Sequence, residues 1–226
     1  MILYVNGDSH SAGAEAVNDY CFAEDDPFYS SLGRKPHPDN ERVSYGCNVA
    51  NDFFAILHCD AESASSNSRI IRTTREYLLN ETPDLIIIGW STWEREEWLY
   101  NGTYWQVNAG GVGHDWPLPI QKRYKDYIVN LNWKEKTRLA HKEINQFHHE
   151  LLDLRIPHLF FNTFNDFQHI EQAIWHDSYV EPYNPNMTYY KWLSDCGFKA
   201  KPSYHYGPDA HRKWADFLLP YLTKLL

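Results

Sequence analysis

Ser9 stands in the run Gly7-Asp8-Ser9-His10-Ser11, just behind the apolar segment Ile2 to Val5. An apolar strand ending in a glycine turn delivers a side chain to the carboxyl edge of a sheet, where open α/β folds bind their ligands. Gly7 permits the tight turn, and a helix following it would point unpaired backbone N–H groups toward Ser9. A hydroxyl with such donors beside it suits acyl transfer, because the N–H groups can hold the charge that develops on the carbonyl oxygen. The same residues also read as an ordinary helix cap, since Asp and Ser are favoured there.

Other constellations point less clearly to chemistry. His149-Glu150-Leu151-Leu152-Asp153 is one residue away from the H-E-x-x-H pattern of zinc proteases. On a helix, His149 and Asp153 fall opposite the apolar stripe of that segment, so we read a solvated face there and no metal site. Trp90, Trp93, Trp98, Tyr100, Tyr104, Trp105 and Trp116 crowd the chain after Gly89. Such rings form apolar walls or platforms for sugar rings and acyl groups, and they also pack long loops onto sheets. Trp90, nearest the strand end, is the one read as lying near a site. Glu94 to Glu97, with Arg95 among them, reads as a solvated helix face with internal ion pairs.

The elements that must position these residues follow from periodicity. Ile2 to Val5, Asp84 to Gly89 and His158 to Asn162 are short apolar runs of buried parallel strands, with a weaker one near His58 to Ala61. Between them, Asn67 to Leu79 is an amphipathic helix behind a capping serine lead, with Arg69, Arg72 and Arg75 on its outer side. Lys136 to Leu154 carries the stripe Ala140, Ile144, Phe147, Leu151 and Leu154. A last helix starts at Gly207-Pro208-Asp209, where Asp209 is placed to cap it. Strands alternating with helices predict a parallel sheet covered on both faces. Two stretches, about 22–40 and 91–133, read as long loops and so as walls or lids of a site.

With these blocks in place, the chain resembles the SGNH (GDSL-type) hydrolases over most of its length. Gly7-Asp8-Ser9 is similar to the family's first block. Cys59 to Asn67, leading into Arg69-Ile70-Ile71-Arg72-Thr73-Thr74, resembles the second, which supplies a backbone oxyanion donor from a glycine. Ala64 or Ser65 stands nearest that glycine, and a residue needing positive φ is strained at such a position. The third block, G-x-N-D, becomes Gly89-Trp90-Ser91-Thr92, with Ser91 in the asparagine's place. His205-Tyr206-Gly207-Pro208-Asp209-Ala210-His211 resembles the last block, with His205 and His211 at the family's spacing.

The resemblance implies a three-layer α/β/α sandwich with a mostly parallel central sheet, the flavodoxin-like SGNH-hydrolase fold. It also implies Ser9 as nucleophile, His205 as general base, Ala64 and Ser91 at the oxyanion, and Asp8, Asn67 and Trp90 around the substrate. The family's aspartate lies two or three residues before its histidine, where this chain has Ser203 and Pro202. A carbonyl, a serine hydroxyl or a carboxylate from elsewhere must then orient His205.

Bulk properties bound the remaining possibilities. A chain of 226 residues, 43% hydrophobic and 16% aromatic, suits one domain over 1–226. A net charge of −9 opposes nucleic acid and anionic membrane surfaces as partners. No apolar run approaches the roughly 18 residues of a membrane span, and none at the start resembles a signal peptide, so membrane insertion is not expected and the cytoplasm is the default location. Cys21, Cys47, Cys59 and Cys196 lack zinc or redox spacing and read as free thiols in a reducing compartment. The sequon at Asn101-Gly102-Thr103 carries no meaning without a secretion signal.

The reading is therefore a serine esterase that needs no cofactor and cleaves a small acyl ester, such as an O-acyl group on a carbohydrate or lipid. The alternative is a catalytically weakened or inactive SGNH-fold module that binds a glycan or a protein through its aromatic stretch. A third reading is an interaction subunit or homo-oligomer built on exposed rings.

Overall fold

The computed structural model describes residues 1–111, 113 and 115–226; Val112 and His114, within the expected loop 91–133, lie outside the described residues. β1 (Ile2–Gly7) runs two residues further than its apolar core and ends on the glycine of the Ser9 turn. A stretch of turns and two short 3-10 segments leads to α1 (Pro38–Glu41), α2 (Tyr45–Asp52) and the edge strand β2 (Ile56–Cys59). α3 (Asn67–Leu78) starts behind Ser66, whose hydroxyl accepts from the Arg69 N–H, as the serine-rich lead predicts. β3 (Leu85–Trp90) is buried along its whole length. A hairpin follows, β4 (Glu96–Tyr100) and β5 (Thr103–Val107), and then α4 (Leu118–Val129) and α5 (Trp133–Asp153). The chain closes with β6 (His158–Asn162), α6 (Tyr189–Asp195) and α7 (Pro208–Leu225).

β1, β2, β3 and β6 form one parallel sheet in the order β2-β1-β3-β6. The alternation of each strand divides its side chains between two apolar layers. Leu3, Val5, Leu85, Ile87, Leu159 and Phe161 face α2, α6 and α7, where Val49, Leu193, Trp214 and Leu218 are buried. Tyr4, Ile86, Ile88 and Phe160 face α3 and α5, where Ile70, Ala140, Ile144, Phe147 and Leu151 are buried. Helices therefore cover both faces, giving an α/β/α sandwich. Truncating a filled position such as Ile144 or Phe147 would cost about 2–5 kcal/mol.

The sheet order reverses between β1 and β3: the chain leaves β1 for β2 on one side and returns to β3 on the other. Such a switch opens a crevice at the carboxyl ends of the two strands. Gly7 and Gly89 are register partners there, so the turns carrying Ser9 and Ser91 lie side by side.

Several expectations change. The stretch 91–133 is not one loop: its aromatic pattern makes the hairpin, and α4 follows. Glu96 and Glu97 sit in β4, not on a helix. The α3 arginines are each engaged, Arg69 with Glu62 at 2.6 Å, Arg72 with Glu97 at 2.6 Å and Arg75 with Glu150 at 2.7 Å. Asp209 lies in the first turn of α7 without capping it, and Leu154 is exposed rather than part of the α5 stripe. All four cysteines are free, and among the described residues no helix is long and apolar enough to cross a membrane.

Candidate functional site

The Ser9 turn is built around a buried hydroxyl. A Cβ on Gly7 would meet Ser11 Oγ at 2.1 Å, and one on Gly89 would meet the same atom at 2.6 Å. The two glycines thus leave the slot in which Ser11 sits beneath the turn, where it accepts a hydrogen bond from the Tyr45 hydroxyl at 2.8 Å. Gly7 has φ +152°, a conformation closed to other residues.

No regular helix follows β1, contrary to expectation. The chain continues as turns through residue 15, held by Ala12 N–H to Asp8 O and Ala14 N–H to Ser9 O. Gly13 (φ +69°) and Glu15 (φ +59°) adopt left-handed backbone that a helix cannot accommodate. Ser9 is nearly buried, 6% exposed. Among the described residues neither its hydroxyl nor its backbone N–H makes a hydrogen bond.

His205 lies beside this turn, its ring 5.1 Å from that of His10. Its Nδ1 is 3.0 Å from Glu15 Oε2, so a carboxylate six residues beyond Ser9 orients this ring, where the residues directly before His205 offer none. The Ser203 hydroxyl donates to the same oxygen, and the Cys21 thiol donates to Oε1 at 3.5 Å. Burial works against charge on Glu15, but the hydrogen bonds from Ser203 and His205 outweigh it and hold the carboxyl below its usual range. An ionised carboxylate only accepts, so in the neutral imidazole the proton sits on Nδ1, facing Glu15, and the lone pair on Nε2. That is the tautomer a general base requires. Burial, helped by His205 and Arg95, keeps His10 far below the ordinary histidine value and therefore neutral.

The other flank is arranged differently. Ser91 Oγ donates to Asp8 Oδ2 at 3.2 Å and accepts from Arg95 Nη1 at 2.8 Å, and the same guanidinium nitrogen is 3.3 Å from Asp8 Oδ2. The one hydroxyl proton of Ser91 is thereby committed, and it does not stand as a free oxyanion donor. Asp8 is fully buried, with Oδ1 accepting the His10 N–H at 3.0 Å, so it braces the turn and offers nothing to a substrate. Burial raises its pKa, with Arg95 and the His10 N–H pulling the other way. Asn67 clamps the Ser91 backbone: its Oδ1 accepts the Ser91 N–H at 2.8 Å and its Nδ2 donates to the Ser91 carbonyl at 3.3 Å. Trp90 is also placed differently from expectation. It is fully buried against Phe147 and Phe160, because the last position of a wholly buried strand faces the α5 layer.

Ala64 adopts φ +65°, a left-handed conformation that favours glycine, at a strain of roughly 1–2 kcal/mol. Its turn is tied to both neighbours, by Glu62 N–H to Gly7 O at 3.2 Å and by the Ser63 hydroxyl to Cys21 O at 3.0 Å. Among the described residues the Ala64 N–H makes no hydrogen bond. Ala64 also lines a cavity of about 600 Å³, whose other walls include Tyr104, Trp105, Gln106, Trp116 and Arg69. Trp105 and Trp116 meet there at 5.1 Å, and the buried Trp105 Nε1 has no partner among the described residues.

The sequence singles out Ser9 by its turn and His205 by its spacing to His211, and it points to neither Glu15, which the structure places against His205, nor Arg95, which it places against Asp8 and Ser91. The signal for Glu15 was a lone carboxylate in the small-residue run Ser11-Ala12-Gly13-Ala14-Glu15-Ala16. Arg95, four residues beyond Ser91, was assigned to a solvated face because the acidic residues around it supplied apparent partners.

No family model and no curated protein matches the sequence. Among solved structures, an acetyl xylan esterase (Est2A) from the rumen bacterium Butyrivibrio proteoclasticus is similar over 99% of this chain and 64% of that chain, at 13% identity and a TM-score of 0.43. The chain thus spans less than two thirds of that protein's length.

Proposed function

We propose that the chain is an SGNH-type serine esterase that cleaves a small acyl ester, and that the ester is carried by a carbohydrate rather than a lipid. The observation that carries the reading is the His205 Nδ1 to Glu15 contact beside an unbonded Ser9 hydroxyl. Ser9 Oγ attacks the acyl carbonyl while His205 Nε2 takes its proton, and Glu15 stabilises the imidazolium that forms. His205 then protonates the leaving alcohol. Water, deprotonated by the same nitrogen, releases the acid and restores Ser9. The unbonded N–H groups of Ser9 and Ala64 serve the oxyanion in both steps.

The preference for a carbohydrate rests on the cavity at Ala64. Paired indoles offer flat faces to a sugar ring, while Gln106, Asn108 and charged side chains on its walls suit hydroxyl groups and not an acyl chain.

Steady-state hydrolysis of an O-acetylated oligosaccharide, compared with a glycerol ester of the same acyl length, tests both parts. The sugar ester should show the higher kcat/KM, and Ser9→Ala should lose at least about 10³ in kcat. Equal rates for wild type and Ser9→Ala would remove the esterase reading. Tight glycan binding without turnover, unaffected by Ser9→Ala, would establish the binding module in its place.

A further inference from the structure

We propose that Glu15, Cys21 and His205 form a binding site for a divalent zinc-like cation, and that occupancy of this site switches His205 off as a base. Their donor atoms, one carboxylate oxygen, Sγ and a ring nitrogen, all lie within 4.8 Å of one another. Glu15 is the centre: Oε2 is 3.0 Å from His205 Nδ1 and Oε1 is 3.5 Å from Cys21 Sγ. Around a tetrahedral zinc ion with bonds of about 2.0–2.3 Å, neighbouring ligand atoms are separated by roughly 3.2–3.8 Å, so these side chains need only small adjustments. One sulfur, one imidazole and one carboxylate is a donor set that zinc accepts, and water would fill the fourth position.

The site draws on three separate parts of the chain. Glu15 is fixed in the left-handed turn behind Ser9, with its N–H donating to Tyr20 O. Cys21 is half-buried, with its N–H donating to Asp25 Oδ2 at 3.0 Å. His205 is anchored by its carbonyl, which accepts from the Lys201 N–H at 2.8 Å. All three ligand groups thus sit on tethered backbone.

The consequence for His205 follows from its tautomers. In the metal-free protein Nδ1 holds the ring proton and Nε2 is the base. A metal on Nδ1 must displace that proton, and the neutral ring then carries it on Nε2, where it can no longer accept the proton of Ser9. The Cys21 thiol binds as thiolate and gives its proton to solvent. Binding therefore moves one proton across the imidazole and releases one to solvent, with no change of oxidation state. This inhibition rests on the esterase reading; the metal site itself does not.

Cobalt(II) titration of the full chain tests the site directly. Wild type should bind one Co²⁺ with a thiolate-to-metal charge-transfer band and release about one proton. Cys21→Ser and His205→Gln should lose the band, whereas Cys196→Ser, at an exposed thiol, should keep it. In the activity arm, Zn²⁺ should lower wild-type kcat by roughly 10²–10⁴ at saturation, reversibly on chelation, as expected for a base held in the wrong tautomer. Hydrolysis by Cys21→Ser should be insensitive to Zn²⁺. No thiolate band in the folded wild type, or a band that survives Cys21→Ser, would overturn the site. Full activity of the cobalt-loaded protein would overturn the switch. A wild type that shows the band but hydrolyses nothing would retain the site and remove the esterase reading.

Discussion

His205 and Ser91 flank the same turn but carry their hydrogen bonds in opposite directions. His205 donates its Nδ1–H to Glu15, and among the described residues no hydrogen bond engages its Nε2. Ser91 gives its proton to Asp8 and takes one from Arg95, with its backbone clamped by Asn67, so nothing on it remains to be offered. The charges diverge in the same sense. Glu15 is held below the carboxylate range by hydrogen bonds, while burial raises Asp8 despite a guanidinium beside it. One flank leaves a ring nitrogen uncommitted and the other spends its polar groups on bracing the turn. Polar residues around a turn are therefore not interchangeable evidence of catalysis; the direction in which each hydrogen bond is spent decides what the residue can do.

The sharpest way to break this contrast is to remove the Glu15 charge. Glu15→Gln keeps the size of the side chain but can present its NH₂ to Nδ1, favouring the tautomer with its proton on Nε2. Its kcat should fall by roughly 10²–10⁴ with little change in KM. A loss of less than tenfold would mean that His205 is not oriented by Glu15.

The pH dependence separates the flanks next. In carboxyl-carbon NMR, Asp8 should titrate above, and Glu15 below, the ordinary values of about 3.9 and 4.3. The signs for stability are opposite. Glu15, depressed in the folded state, contributes stability that is present above its unfolded pKa and lost as pH falls through its folded value. Asp8, raised in the folded state, takes up its proton first in the native protein, so its titration favours folding as pH falls from its folded value toward about 3.9. Finding the two titrations in reverse order would contradict the assigned environments.

Ala64→Gly should relieve the left-handed strain and raise stability by about 1 kcal/mol, read as a shift in denaturant midpoint at constant m. Ser91→Ala should have the smallest kinetic effect, less than tenfold in kcat, since its hydroxyl is committed to Asp8 and Arg95. A drop of 10² or more would restore Ser91 to the oxyanion site.

β1, β3 and β6 were readable because they are short, continuous apolar runs, and α3 and α5 because they carry plain amphipathic stripes; β2, half exposed and interrupted by His58, was read only weakly and two residues late. The β4-β5 hairpin was not readable: Glu96 and Glu97 open β4 with two successive carboxylates in place of an apolar alternation, and Glu97 is buried against Arg72 and Gln106. Trp90 misled for a related reason, because proximity to Gly89 along the chain said nothing of which face its ring would take. Within the candidate site, local motifs are what drew attention to Ser9 and His205. Glu15 became visible only in three dimensions, since the contact joins residues 190 positions apart and no fixed spacing announces it.

The most direct test of the account is the rate at which a fluorophosphonate labels the protein, followed by intact mass and peptide mapping. Wild type should gain one adduct, located on Ser9, and Glu15→Gln should label roughly 10²-fold or more slowly while remaining folded. The absence of an adduct on Ser9 in wild type, or equal labelling rates in the two proteins, would contradict a serine primed through His205 and Glu15.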